Sequence, residues 1–236
     1  MPLFSVQSLK FLRDLKKHND RDWFQPRKPL YDEHVKAPML ELIEAVNREL
    51  ANAAPAFVTE PKKAIFRIYR DTRFAHDKTP YKTNTSALFW QQRADRKGGA
   101  VLYISLSAAE AVVAGGSYMP TPPELLALRQ HLAEHHARFE KILKPKALRE
   151  CFGELRGEVL QRAPKGFDAD HRAVGLLKRK QWLLRTALDP KLAITDDFVP
   201  EVLKRIRLLL PFVTFLNEPL VKRAARVRDP LTVDRA

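Results

Sequence analysis

Between residues 62 and 118 the hydrophobic period of this chain changes from helical to alternating, and that change constrains the fold class. Residues 64–69, 83–90, 100–106 and 111–117 are short runs rich in β-branched or aromatic side chains. Turn-like breaks such as Lys97-Gly98-Gly99 divide them. Runs of this kind suit strands. Parallel neighbours need long crossover connections, and the breaks here are too short to supply them. A mostly antiparallel sheet of about four strands is therefore expected within residues 62–118.

On both sides of this region the period is helical. Ser5 can cap a helix reaching His18, with Val6, Leu9, Leu12 and Leu15 on one face. A second helical stretch covers residues 31–53, where Pro26, Pro29 and Pro38 disturb the approach and first half. Pro122-Pro123 opens a third, striped by Leu125, Leu128, Leu132, Phe139 and Leu143. Shorter helices fall at 147–152 and 174–179. Thr195-Asp196-Asp197 caps the last helix, which Pro211 is expected to kink. Helices, then sheet, then helices give an α+β domain over residues 1–221, followed by a basic, flexible tail at 222–236.

The chain carries 42 Lys+Arg against 28 Asp+Glu, a net charge of +14. The excess is uneven: residues 51–100 hold ten basic and four acidic side chains, whereas the first fifty hold nine and eight. Such a balance favours polyanions without conferring specificity. One cysteine, Cys151, excludes a disulfide within the chain. A reducing compartment and a cytoplasmic location are the expectation, and no apolar run is long enough to span a membrane.

The basic excess centres on residues 66–84, where Arg67, Arg70, Arg73, Lys78 and Lys82 alternate with Asp71, Asp77, Tyr69 and Tyr81. Guanidinium groups suit planar contact with phosphate or carboxylate oxygens. Arg67, Arg70, Arg73, Lys78, Tyr81 and Lys82 are thus candidate ligand-binding residues, with Thr83 as a further donor. Strand alternation places Arg67 and Arg70 on opposite faces, so a shared site requires the chain to turn near Tyr69. The competing arrangement is an ion-pair network in which Asp71 and Asp77 tie the arginines into the scaffold.

Asp168, Asp170 and His171 form a second constellation, in which a carboxylate could fix the imidazole tautomer for acid–base work. His131-Leu132-Ala133-Glu134-His135 matches the H-x-x-E-H zinc pattern. Helical spacing, however, puts His135 in the Leu128–Leu132–Phe139 stripe, and core packing without metal is expected there. Trp23, Phe24 and Trp182 read as core aromatics rather than base-stacking platforms. No phosphate-loop glycine pattern or Gly-x-Ser-x-Gly elbow is present.

Several of these segments together resemble the family of uncharacterised conserved proteins called domain of unknown function 2461. The matching pieces are Asn19-Asp20-Arg21-Asp22-Trp23-Phe24, residues 66–83, Gly115-Gly116-Ser117-Tyr118-Met119-Pro120, Gly166-Phe167-Asp168-Ala169-Asp170-His171 and Phe215-Leu216-Asn217. The likeness runs over roughly residues 4–220. Ala75-His76 departs from the Ser-Lys more usual in the family, which removes one cation. The resemblance implies one α+β domain and supplies no substrate. The residues support two functions. The first is a binding protein for an anionic small molecule or nucleic acid. The alternative is an enzyme on a small anionic substrate, with Asp71, Asp77 or His171 as acid or base and the arginines stabilising charge. Cofactor and oligomeric state are not legible.

Overall fold

Ser5 begins the first helix by a reciprocal cap: the Ser8 amide donates to its hydroxyl, and the Ser5 amide donates to the Ser8 hydroxyl at 2.9 Å. In this computed structural model, which describes residues 1–94, 96 and 98–228 (side chains to Arg223), helix α1 spans Val6–Lys17. It buries Leu9, Phe11, Leu12 and Leu15, while Val6 points to solvent. The proline-rich approach to the next helix resolves into short turns, Arg21–Phe24 and Lys28–Tyr31, then a π-helical turn Asp32–Lys36. Pro26, Pro29 and Pro38 each sit in the first positions of a new turn, where the missing amide coincides with a change of helical pattern. Helix α2 then spans Ala37–Ala53.

Strands β1 (Asn84–Trp90), β2 (Val101–Ser107) and β3 (Ala111–Ser117) form an antiparallel meander, close to the expected boundaries. Helices α3 (Pro122–Leu143) and α4 (Lys146–Phe152) come next. The chain then returns as β4, Trp182–Leu188, antiparallel to β3, giving the order β1-β2-β3-β4. The fold is α+β with a four-stranded antiparallel sheet flanked by helices, as the period change predicts. The membership of the sheet is corrected at both ends. Residues 64–69 do not form a strand: Pro61–Ala64 is a helical turn, and residues 65–69 make only isolated bridges, Ile65 to Ala87 and Tyr69 to Tyr81. The fourth strand is instead 182–188, beyond the expected sheet region.

Helix α5 runs from Phe198 to Arg228 through Pro211 and Pro219. Residues 222–228 of the expected tail are thus helical, and 229–236 lie outside the described residues, as does Lys97 of the expected Lys97-Gly98-Gly99 turn. Leu209 and Val213 of α5 lie against Gly115, so α5 covers the face bearing the cross-strand row Phe89–Leu102–Gly115–Leu184. A buried apolar cluster runs from Phe4 to Leu220, joining α1, α2, the sheet and α5. Among the described residues no helix is long and apolar enough to cross a membrane.

Candidate functional site

Asn19, just beyond the end of α1, pins the return of the 70–82 loop. Its amide donates to the Tyr81 carbonyl at 2.9 Å and its carbonyl accepts from the Tyr81 amide at 3.0 Å. Tyr81 is thereby held with its ring stacked on Phe24, centroids 4.1 Å apart. Asp20 caps the turn that presents Phe24, accepting from the Trp23 amide at 2.7 Å. Burial, and secondly the neighbouring Tyr69, raise the pKa of the Tyr81 hydroxyl. Asn19 thus lines the site directly, while Phe24 supports Tyr81 through its ring.

The segment 66–82 leaves β1 after Phe66 and folds back on its own return, without bringing Arg67 to the pocket that Arg70 lines. The Phe66 amide donates to Ser86 on β1, after which pairing switches: Arg70 donates to Pro80 and Lys82 to Ile68, both at 2.8 Å. Between these clamps the loop closes on its own side chains. Arg70 donates to Asp77 at 2.5 Å and also to the Thr79 hydroxyl, while Asp77 accepts from the Thr79 amide at 2.9 Å. Arg73 meets Asp71 through two bonds of 3.0 and 2.8 Å, and Lys78 donates to the Thr72 carbonyl.

Both carboxylates are consequently held low. The Thr79 amide and Arg70 take Asp77 down to about 2, and Arg73 takes Asp71 down to about 2. A depressed native pKa means that each contact contributes in full above the ordinary carboxylate value of about 4, and is lost as the pH falls through about 2. Carboxyl-carbon NMR titration should put both midpoints near 2. An ordinary midpoint for Asp77 would show that the Arg70–Asp77–Thr79 clasp does not form.

An open pocket of about 460 Å³ lies against this loop. Of the candidate ligand-binding residues, Arg70, Tyr81 and Lys82 line it, together with Asp77 and Thr83. Arg67, Arg73 and Lys78 are exposed and do not. The pocket also gains a cation that sequence reasoning missed, Lys16 from the last turn of α1. A lysine there reads as an ordinary complement to the helix dipole. Lys82 donates to the Arg67 carbonyl at 3.0 Å and rests 4.8 Å from the Phe66 ring centroid. Burial, and secondly the Arg67 charge, lower its pKa. Among the described residues neither Lys16 nor Lys82 makes an ion pair.

His171 lies elsewhere, beside His136 of α3 with ring centroids 5.8 Å apart. Its Nδ1 accepts from the Ala173 amide at 3.0 Å, and Asp168 accepts from the Asp170 amide rather than orienting the imidazole. These residues shape a turn and form no dyad with one another. In the H-x-x-E-H segment the helix departs from helical geometry at His135, whose side chain is 40% exposed. His131, not His135, occupies the interior position, 3.3 Å from Glu218 and against Phe215. Burial lowers its pKa, with Glu218 opposing. Phe24 and Trp182 are core residues as read. Among the described residues no cluster of His, Cys, Asp and Glu could hold a metal ion.

Comparison with curated proteins finds no match. A family described as a conserved hypothetical protein, DUF2461, matches residues 7–215, which takes in α1, the Asn19–Tyr81 tie, the 66–84 loop and most of α5. The chain belongs to this family of conserved hypothetical proteins.

Proposed function

We propose that the protein binds a small phosphorylated or carboxylated molecule in the pocket between the end of α1 and the 70–82 loop. One observation carries the reading: Lys16 and Lys82 face the same pocket without a carboxylate partner among the described residues, and Lys82 is partly desolvated there. A desolvated ammonium gains most from an incoming anion, which replaces lost hydration with a charge-assisted hydrogen bond. Arg70 contributes direction more than charge, because Asp77 already neutralises it. Asn84 and Thr83 add polar groups at the rim. The lone cysteine supports a reducing, cytoplasmic setting.

Binding is favoured over catalysis at this site. Asp71 and Asp77, held near 2 by arginine and amide donors, are weak bases at neutral pH. His171 is not among the pocket residues.

Thermal shift and calorimetry with inorganic phosphate, pyrophosphate and citrate test the proposal. At least one should stabilise the protein and titrate to saturation. Lys16→Met and Lys82→Met should each weaken it by about tenfold to a hundredfold, the range for a lost charged hydrogen bond, with the unliganded melting temperature unchanged in Lys16→Met. Arg70→Ala is a poorer probe, because it also opens the Asp77–Thr79 clasp. Absence of stabilisation by all three anions, or undiminished binding in both lysine variants, would reject the site. If the ligand is nucleic acid, oligonucleotide affinity falls steeply with salt; no binding at low salt rejects that version alone.

A further inference from the structure

Opposite α5, the sheet carries a hollow that no side chain of the described residues fills. Residues paired across strands share a face. The rows Leu88–Tyr103–Ala114–Arg185 and Trp90–Val101–Gly116–Leu183 therefore point away from the row that meets α5. Along β3, an interior strand, these rows place only Ala114 and Gly116. Larger side chains stand on either side: Leu88, Val101 and Tyr103 toward β1 and β2, and Leu183 toward β4. The result is a trough of about 410 Å³, bordered also by Phe66 and Tyr118. This volume falls within the usual range for small-molecule sites, about 300–1,000 Å³.

Its chemistry is asymmetric. The floor and walls are apolar, and the charged side chains lining it are Arg156 and Arg185. Arg185 is matched by Glu110 at 2.5 Å. Arg156 is exposed and makes no ion pair among the described residues. The Phe66 wall carries cations on its ring, Lys82 at 4.8 Å and Arg96 at 5.5 Å from the centroid. Among the described residues the rim therefore holds more positive than negative charge, which complements an anionic end on an apolar body. A peptide helix or nucleic-acid strand would span far more surface than a trough of about 410 Å³ offers.

We infer that the trough binds a small apolar acid, its hydrocarbon body lying along Ala114 and Gly116 and its anionic group meeting Arg156. This site is separate from the α1–loop pocket, although Lys82 borders both. The probe is 1-anilinonaphthalene-8-sulfonate, with decanoate as competitor and uncharged N-phenyl-1-naphthylamine as control. The folded protein should enhance sulfonate fluorescence, and decanoate should reverse it. Arg156→Ala should weaken the sulfonate by about tenfold, the scale of one charge-assisted contact, and leave the uncharged analogue unaffected. Ala114→Phe should abolish binding of both. If that variant melts early, Leu183→Trp fills the trough from the other wall and should do the same. Lys16→Met, which lines only the other pocket, should leave probe binding unchanged and so separates this inference from the first. Retained probe binding in the filled variants, an equal loss of both probes in Arg156→Ala, or displacement by oligothymidylate but not decanoate would overturn it.

Discussion

Gly116→Ala is expected to destabilise the protein by about 3–5 kcal/mol, combining a backbone conformation that L side chains avoid with an overpacked contact. Gly116 has φ +131°, and a Cβ there would sit 1.9 Å from the Trp182 carbonyl oxygen and 3.0 Å from its carbon. Both are backbone atoms of the paired strand and have no rotamer to escape into. The methyl fits only if β3 separates from β4, where Gly116 faces Leu183 and Ser117 faces Trp182. Trp182 is fully buried, so its displacement also opens the core. Thermal unfolding should show a fall of roughly 6–20 °C for a chain of this length. Gly115→Ala is the internal control. Its Cβ would meet side-chain ends, Val213 Cγ1 at 3.1 Å and Leu209 Cδ1 at 3.2 Å, besides the Val101 carbonyl oxygen at 3.3 Å, and the neighbouring side chains can yield. Equal losses in the two variants would contradict the assignment of strain to Gly116.

The same pair of glycines shows how far local sequence carries. Gly115-Gly116 implies a close approach, but not that the neighbours are an α5 side chain on one face and a β4 carbonyl on the other. β1, β2 and β3 are legible because alternation and short turns are local signals. β4 is not: Trp182-Leu183-Leu184-Arg185-Thr186-Ala187-Leu188 is leucine-rich on both faces, since Leu184 meets the core and Leu183 lines the trough. Residues 64–69 mislead in the opposite sense. Their β-branched and aromatic residues suit a strand, yet the chain leaves β1 after Phe66 to pair with its own return at 80–82. Of the basic cluster, only Arg70 and Lys82 reach the pocket, and Asp71 and Asp77 pair with Arg73 and Arg70, as the ion-pair alternative described. The unpaired charge that defines the candidate site comes partly from Lys16. Its nearness to the loop depends on the Asn19–Tyr81 tie across 62 residues, which no window of sequence contains.

Asn217→Ala tests a second such tie, with an expected loss of about 2–4 kcal/mol from two buried backbone groups left without partners. Asn217 lies on α5 and is fully buried. Its side-chain carbonyl accepts from the Ala100 amide and its amide donates to the Ala100 carbonyl, both at 2.8 Å. It thus reproduces the pairing a neighbouring strand would give, at the residue that leads into β2. Ala100 is itself fully buried, so water does not reach the freed groups without the helix moving off the sheet. A melting temperature lower by roughly 4–16 °C is expected. Asn217→Leu separates the hydrogen bonds from packing: it restores apolar volume and satisfies neither group, so it should be no more stable than the alanine variant. Asn217→Asp retains an acceptor for the Ala100 amide but loses the donor and buries a carboxylate. Its deficit should shrink as the pH falls through the raised pKa of that group, because protonation removes the buried charge and restores a donor. A leucine variant as stable as the wild type would mean that Asn217 acts by shape alone, and that α5 is held to the sheet by Leu209, Val213 and their apolar neighbours without this bond.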